Sequence, residues 1–98
     1  MGRYLVLWEV DPSRVPVDAK ERGGAWSLLM AMIKQNREAG KLKDFGTFAG
    51  EINGFSVYEG TEVEVANILV QYSPYVSFKV HPLLTESQTN EVIKSLSG

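Results

Sequence analysis

Cysteine is absent from this 98-residue chain, which excludes disulfides, thiolate catalysis and cysteine-ligated metals. Histidine occurs once, at His81, and no spaced cluster of carboxylates completes a ligand set around it. Neither a metal nor a cofactor is expected. The glycines at 23, 24, 46, 50, 54 and 60 lack the spacing of a P-loop or a dinucleotide fingerprint. An excess of one charge sign is lacking too. Ten Lys+Arg stand among twelve Asp+Glu, for a net charge of −2, so there is no basic footprint for nucleic acid. No apolar run approaches the roughly 20 residues that a membrane span needs. The opening MGRYLVLWEVDPS turns acidic at Glu9 and Asp11 without a small-residue cleavage site, so it reads as a strand and not a leader. No membrane partner is expected, and the cytoplasm is the expected location.

What is present is ordinary for a globular protein: 44% hydrophobic and 22% charged residues, in a length that suits one domain over 1–98. Arg3 to Val10 is rich in aromatic and β-branched residues and too short for a globular helix. As a strand it sets Tyr4, Val6, Trp8 and Val10 on one face and Arg3, Leu5, Leu7 and Glu9 on the other. Both faces are apolar at their centres, so both are expected to be covered. Pro12 and Pro16 mark a connection. Ala25 to Ala39 carries Trp26, Leu29, Met30 and Ile33 at helical spacing, and Gly40 supplies the left-handed stop. Asp18 is a plausible cap, with Gly23-Gly24 weakening the turns after it.

Leu42 to Ala49 reads as a second strand, with Gly46 and Gly50 suggesting a bend, a bulge or a close approach. Asn53-Gly54 is the strongest turn signal in the chain, and Phe55 to Tyr58 is the return strand. Thr61 and Glu64 match a capping box for a helix that must end before Pro74. Tyr75 to Leu83 alternates as a fourth strand, and Thr85 with Gln88 opens a terminal helix whose apolar side is Val92, Ile93 and Leu96. The fold expected is α+β: a ferredoxin-like βαββαβ antiparallel sheet with an added C-terminal helix. Both main helices then fall on one sheet face. The other face, apolar in its first strand, needs a partner, and the partner expected is a second copy of the chain.

Three stretches carry a family resemblance: Arg37-Glu38-Ala39-Gly40-Lys41, Gly54-Phe55-Ser56-Val57-Tyr58, and Ser73-Pro74-Tyr75-Val76 leading to Val80-His81-Pro82-Leu83. They resemble the muconolactone isomerase-like branch of the dimeric α+β barrel proteins. The resemblance runs from about Arg37 to Leu84 and implies a barrel-forming homodimer with a small-molecule pocket in each subunit. It also implies a cofactor-independent reaction, in the first place isomerisation of a small organic acid or lactone. Two other readings stand beside it: a small monooxygenase for aromatic substrates, and a non-catalytic module that binds a small ligand or serves as a structural dimer. The chain departs from the isomerase pattern in its short approach to the last strand, Gln71 to Tyr75, and in its capped terminal helix.

His81 is the side chain whose ordinary pKa suits proton transfer near neutrality. On its strand face stand Ser77 and Lys79, so His81 is a candidate acid–base residue, Lys79 a candidate for orienting an anion, and Ser56 or Tyr58 candidate hydrogen-bond donors. The competing reading leaves His81 inert at a strand end before Pro82. Glu9 is the second catalytic candidate, a carboxylate at the end of the first strand, provided burial raises its pKa. Tyr4, Trp8, Phe48 and Tyr58 form either an aromatic lining for a flat substrate or a dry dimer seam.

Overall fold

A computed structural model of the chain describes residues 2–50 and 52–98. Strand β1 (Gly2–Val10) leads through a short 3₁₀ turn, Pro12–Arg14, into helix α1 (Ala19–Glu38). Strands β2 (Leu42–Thr47) and β3 (Asn53–Gly60) follow, then helix α2 (Glu62–Leu69), a 3₁₀ turn at Val70–Tyr72, strand β4 (Val76–Leu83) and helix α3 (Glu86–Ser97). The sheet order is β2-β3-β1-β4, antiparallel at every join. Each βαβ unit therefore leaves a gap of one strand that the other unit fills. This α+β architecture, a four-stranded antiparallel sheet with three helices, is compatible with a ferredoxin-like fold.

Burial separates the two sheet faces. Tyr4, Val6, Trp8 and Val10 of β1 are buried together with Ile33 of α1 and Val65 and Leu69 of α2, so both helices cover this face. On the reverse face Leu5 and Leu7 oppose Val57 and Phe55 in register, and all four are only half-buried. An Arg3–Glu59 ion pair at 3.1 Å closes one end of that face.

Two local elements differ from what the residues led us to expect. Helix α1 begins at Ala19, a turn and a half before Ala25. The Asp18 carboxylate accepts from the Glu21 N–H at 3.0 Å, and this cap offsets part of the cost of two exposed glycines, roughly 1 kcal/mol each. Asn53-Gly54 is not the hairpin turn. The chain reverses between Thr47 and Asn53, where the Phe48 N–H donates to the Asn53 carbonyl at 2.8 Å, and Asn53-Gly54 already belongs to β3. Gly54 is required there for closeness, since a Cβ would stand 2.2 Å from the Gly46 carbonyl oxygen and 2.4 Å from the Trp8 ring. Gly40, by contrast, has φ 81° and ends α1 through the left-handed conformation its position suggests.

Helix α2 starts with the full capping box: Glu64 N–H to Thr61 Oγ1 at 3.1 Å, and Thr61 N–H to Glu64 Oε1 at 2.9 Å. The Lys41 ammonium also bonds to the Glu64 carboxylate, tying the start of β2 to that of α2. Lys41 first, and then the Thr61 backbone, hold the Glu64 carboxyl down to about 2 from an ordinary 4.5. Because the folded value is the lower one, this contribution is complete above about pH 4.5 and disappears as the pH falls through about 2. The pair is exposed, so the effect is modest. Between those pH values the urea midpoint should fall less in a Glu64→Gln variant than in the wild type. Parallel losses would show that the ion pair contributes nothing.

Candidate functional site

Between α1 and the sheet lies a cavity of about 30 Å³, large enough for a water molecule or two or for one projecting ligand group. Its wall is built from β1 (Trp8), β2 (Phe45), β3 (Ser56, Tyr58) and the turn after α2 (Tyr72), with α1 as its roof. Alternation alone would put Leu42 and Phe45 on opposite faces. A β-bulge between Leu42 and Asp44 corrects the phase, so Leu42 pairs with Tyr58 and Phe45 with Ser56 on the helix side. Phe45 then stacks on Trp8, with ring centroids 5.7 Å apart and planes within 2°, and Trp26 meets Trp8 edge-on at 6.0 Å.

Polar groups in this apolar wall are few and concentrated. Asn36 of α1 donates from Nδ2 to the Tyr72 hydroxyl at 2.9 Å, pinning the helix to the turn before β4. Tyr72 lies beside Tyr58, and Tyr58 beside Ser56, so four side chains form one chain of polar contacts. Burial pushes the Tyr58 phenol well above its ordinary range, and the adjoining Tyr72 hydroxyl pushes the same way. Burial also raises Tyr72, against the pull of the Asn36 amide. Both phenols are protonated across the physiological range, as ordinary phenols are, and Tyr58 spends its proton on Tyr72, which leaves the Tyr72 hydroxyl as the free donor of the two. Trp8 adds a third kind of donor. Its Nε1 is buried and has no hydrogen-bond partner among the described residues. A buried donor left unpaired costs about 1–3 kcal/mol, and Trp8 is one of the residues that line the cavity.

The cavity adjoins a groove of about 430 Å³ that shares Val10, Trp26, Leu29 and Tyr72 with it. That volume lies within the range of small-molecule sites. Arg14 and Arg22 stand on the groove's outer wall. Arg14 pairs with Asp11 at 3.5 Å and lies over the Tyr75 ring at 5.6 Å, while Arg22 Nη1 donates to the Val17 carbonyl at 3.1 Å. The Asp11 carboxyl is held below its usual range, chiefly by the Ser13 hydroxyl and next by the Ser13 N–H. Among the described residues, the lining of the groove contains no carboxylate and no imidazole, and neither does that of the inner cavity.

The residues singled out from the sequence fall into two groups separated by the sheet. Trp8, Ser56 and Tyr58 come together in the cavity wall. Tyr4 shares their face but lies further along, in a groove between α2 and β4. Register puts His81 opposite Leu5, Lys79 opposite Leu7 and Ser77 opposite Glu9, which places His81, Lys79 and Glu9 on the reverse face. Phe48 is exposed past the end of β2, packed against Phe55 with centroids 6.3 Å apart, also on that side. Within one chain, then, His81 and Lys79 do not share a pocket with Ser56 and Tyr58. Asn36, Phe45 and Tyr72 enter the site without having been singled out. Tyr72 alone carried a hint, as the last apolar position before Pro74.

Among the described residues no group of three His, Asp or Glu side chains is placed to hold a metal ion, and no helix is long and apolar enough to cross a membrane. Fold and cavity together define a ferredoxin-like-compatible α+β domain with a small, largely apolar cavity under α1. The sequence matches no protein-family profile, and no curated protein is significantly similar to it.

Proposed function

We propose that the protein is a homodimeric small-molecule binder. Its ligand is a flat, largely apolar molecule that seats in the groove beside α1 and extends a carbonyl-type oxygen into the inner cavity. The observation that carries this reading is the buried, unpartnered Nε1 of Trp8, a residue that lines the cavity together with the phenols of Tyr58 and Tyr72. Trp8, with its indole N–H, and Ser56, Tyr58 and Tyr72, with their hydroxyls, line one small cavity, with no carboxylate among its described lining residues. The proton not used between Tyr58 and Tyr72 suits, with the indole, an oxygen acceptor. The aromatic wall suits a planar body. Dimerisation follows from the reverse face, where Leu5, Leu7, Phe55 and Val57 are apolar, half-buried and on the side away from α1 and α2. A second copy set against this face would make the two-sheet barrel that the family resemblance implies, and would enclose His81, Lys79 and Glu9 in its seam.

Isomerase activity is the second reading, favoured by the neutral Tyr72 phenol, the kind of donor a developing enolate oxygen needs. It also requires a proton acceptor, and the described residues that line cavity and groove include no carboxylate or imidazole, so the binding reading stands first. Coumarin, an aromatic lactone, is a suitable probe. Its titration into protein labelled with ¹⁵N should shift the Trp8 indole N–H resonance saturably. No saturable shift with coumarin, with 1-indanone or with 1,4-naphthoquinone would overturn the proposal. Solvent-deuterium incorporation into 1-indanone at a rate above background would move the isomerase reading ahead of it.

A further inference from the structure

Helix α3 is the element that the rest of the chain leaves unexplained. It has a capping box at Thr85 and Gln88 and an apolar stripe of Val92, Ile93 and Leu96, yet none of its residues is buried. It extends from the domain as an arm. The molecule measures 60 × 26 × 20 Å, and its radius of gyration of 16.2 Å exceeds the roughly 13 Å of a compact domain of this length. A helix this short is marginal in water without packing, because helical stability in proteins comes mainly from an apolar face that is covered.

The domain also has a place where a helix is missing. α2 has 8 residues and spans about 12 Å, whereas β4, also of 8 residues, runs for about 26 Å. Alongside α2, between it and β4, the helix layer is open, leaving a groove of about 520 Å³ lined by Tyr4, Ala66, Leu69, Val70, Val80 and Pro82. Val70 and Val80 are 65% and 43% exposed there, and α3 at 12 residues is about 18 Å long, short enough to lie along β4 at about 26 Å.

We infer that α3 is an exchanged arm: in the homodimer proposed above, on which this inference rests, the α3 of each copy fills the groove between α2 and β4 of the other. Buried area favours a second copy as the occupant. Four strands of about 27 Å at about 4.8 Å spacing give a reverse face of roughly 500 Å², so face-to-face contact alone buries about 1,000 Å² in total, below the usual 1,200–2,000 Å² of a stable dimer. Two arms, each covering about 180 Å² of partner and hiding as much of itself, raise the total to roughly 1,700 Å². Each copy brings one arm and one groove, so a two-fold axis satisfies both and leaves neither open.

The chain contains no cysteine, so introduced thiols report unambiguously. Leu96→Cys and Val70→Cys variants, mixed, equilibrated and oxidised, should give a covalent heterodimer. Leu96→Asp should weaken the dimer at least about 10-fold in sedimentation equilibrium, as loss of a buried interface anchor does. Its circular dichroism should lose no more than the helical signal of α3 itself, since Leu96 is 82% exposed within a single chain and lies outside the core. A wild-type protein that is monomeric at micromolar concentration overturns the homodimer reading and the arm with it. A normal dimer in Leu96→Asp, with no heterodisulfide in the mixture, overturns the arm alone. An exclusively intrachain disulfide in the Leu96→Cys/Val70→Cys double variant also overturns it, by showing that α3 folds back onto its own groove.

Discussion

Gly54→Ala should lower the melting temperature by about 10 °C or more, although it adds only one methyl group. Its Cβ would meet the Gly46 carbonyl oxygen at 2.2 Å and the Trp8 ring at 2.4 and 2.7 Å. Neither neighbour can yield cheaply. The oxygen belongs to the backbone of the adjacent strand, held in register from Phe45 through Thr47. The ring is fixed between Phe45 and Trp26. Overpacking of this kind costs about 1–3 kcal/mol and more where backbone must move, and each kcal/mol shifts a domain of this size by about 4–8 °C. Gly23→Ala provides the internal control. That position lies inside α1 with nothing within 4 Å of the added Cβ, so the same substitution should stabilise by about 0.5–1 kcal/mol. Differential scanning calorimetry on both variants tests the pair. Equal and small shifts would remove the assignment of Gly54 as the contact point between β3, β2 and Trp8.

The contrast between those two glycines also shows what was legible in the sequence. Local chemistry was readable wherever a residue acts on its own neighbours. Thr61 with Glu64 and Thr85 with Gln88 cap helices because their partners are three residues away, and Gly40 ends α1 because the left-handed turn is local. Alternation in β1 and β4 likewise gave the strands and their faces. Residues whose role depends on a distant contact misled. Asn53-Gly54 has the composition of a tight turn, but Gly54 answers to Trp8 and Gly46, and both contacts depend on the packed sheet.

The site shows the same division. Trp8, Ser56 and Tyr58 could be named as aromatic or hydroxyl side chains on strands. That they share a face with one another, and not with His81 and Lys79, depends on the register of β1 against β3 and β4. Phe45 was hidden by the bulge that reverses its phase. Asn36 sits on the polar end of a helix and gains its role from Tyr72, 36 residues later. β1 is apolar on both faces, so the side that would meet the helices was not readable from it alone.

Trp8 offers the widest separation between packing and recognition, through two substitutions at one position. Trp8→Ala removes a buried ring stacked on Phe45 and edge-on to Trp26, and should cost about 3–5 kcal/mol. Against the 5–15 kcal/mol of a typical domain, that leaves a protein close to its unfolding threshold at room temperature. Trp8→Phe keeps an aromatic face against Phe45 but deletes the indole N–H. Because Nε1 has no protein partner, no internal hydrogen bond is lost, and removing an unpaired buried donor offsets part of the cost of the smaller ring. The expected change in stability is within about 1.5 kcal/mol, the range of a core swap that alters shape without removing the ring. Affinity for coumarin should respond differently. Losing one hydrogen bond worth about 1–1.5 kcal/mol weakens binding roughly 5- to 10-fold. A Trp8→Phe protein that unfolds near the wild-type urea concentration yet binds coumarin that much more weakly would assign Nε1 to the ligand. Undiminished binding in the same folded variant would return Trp8 to a purely structural role and leave the hydroxyls of Ser56, Tyr58 and Tyr72 as the donors to test.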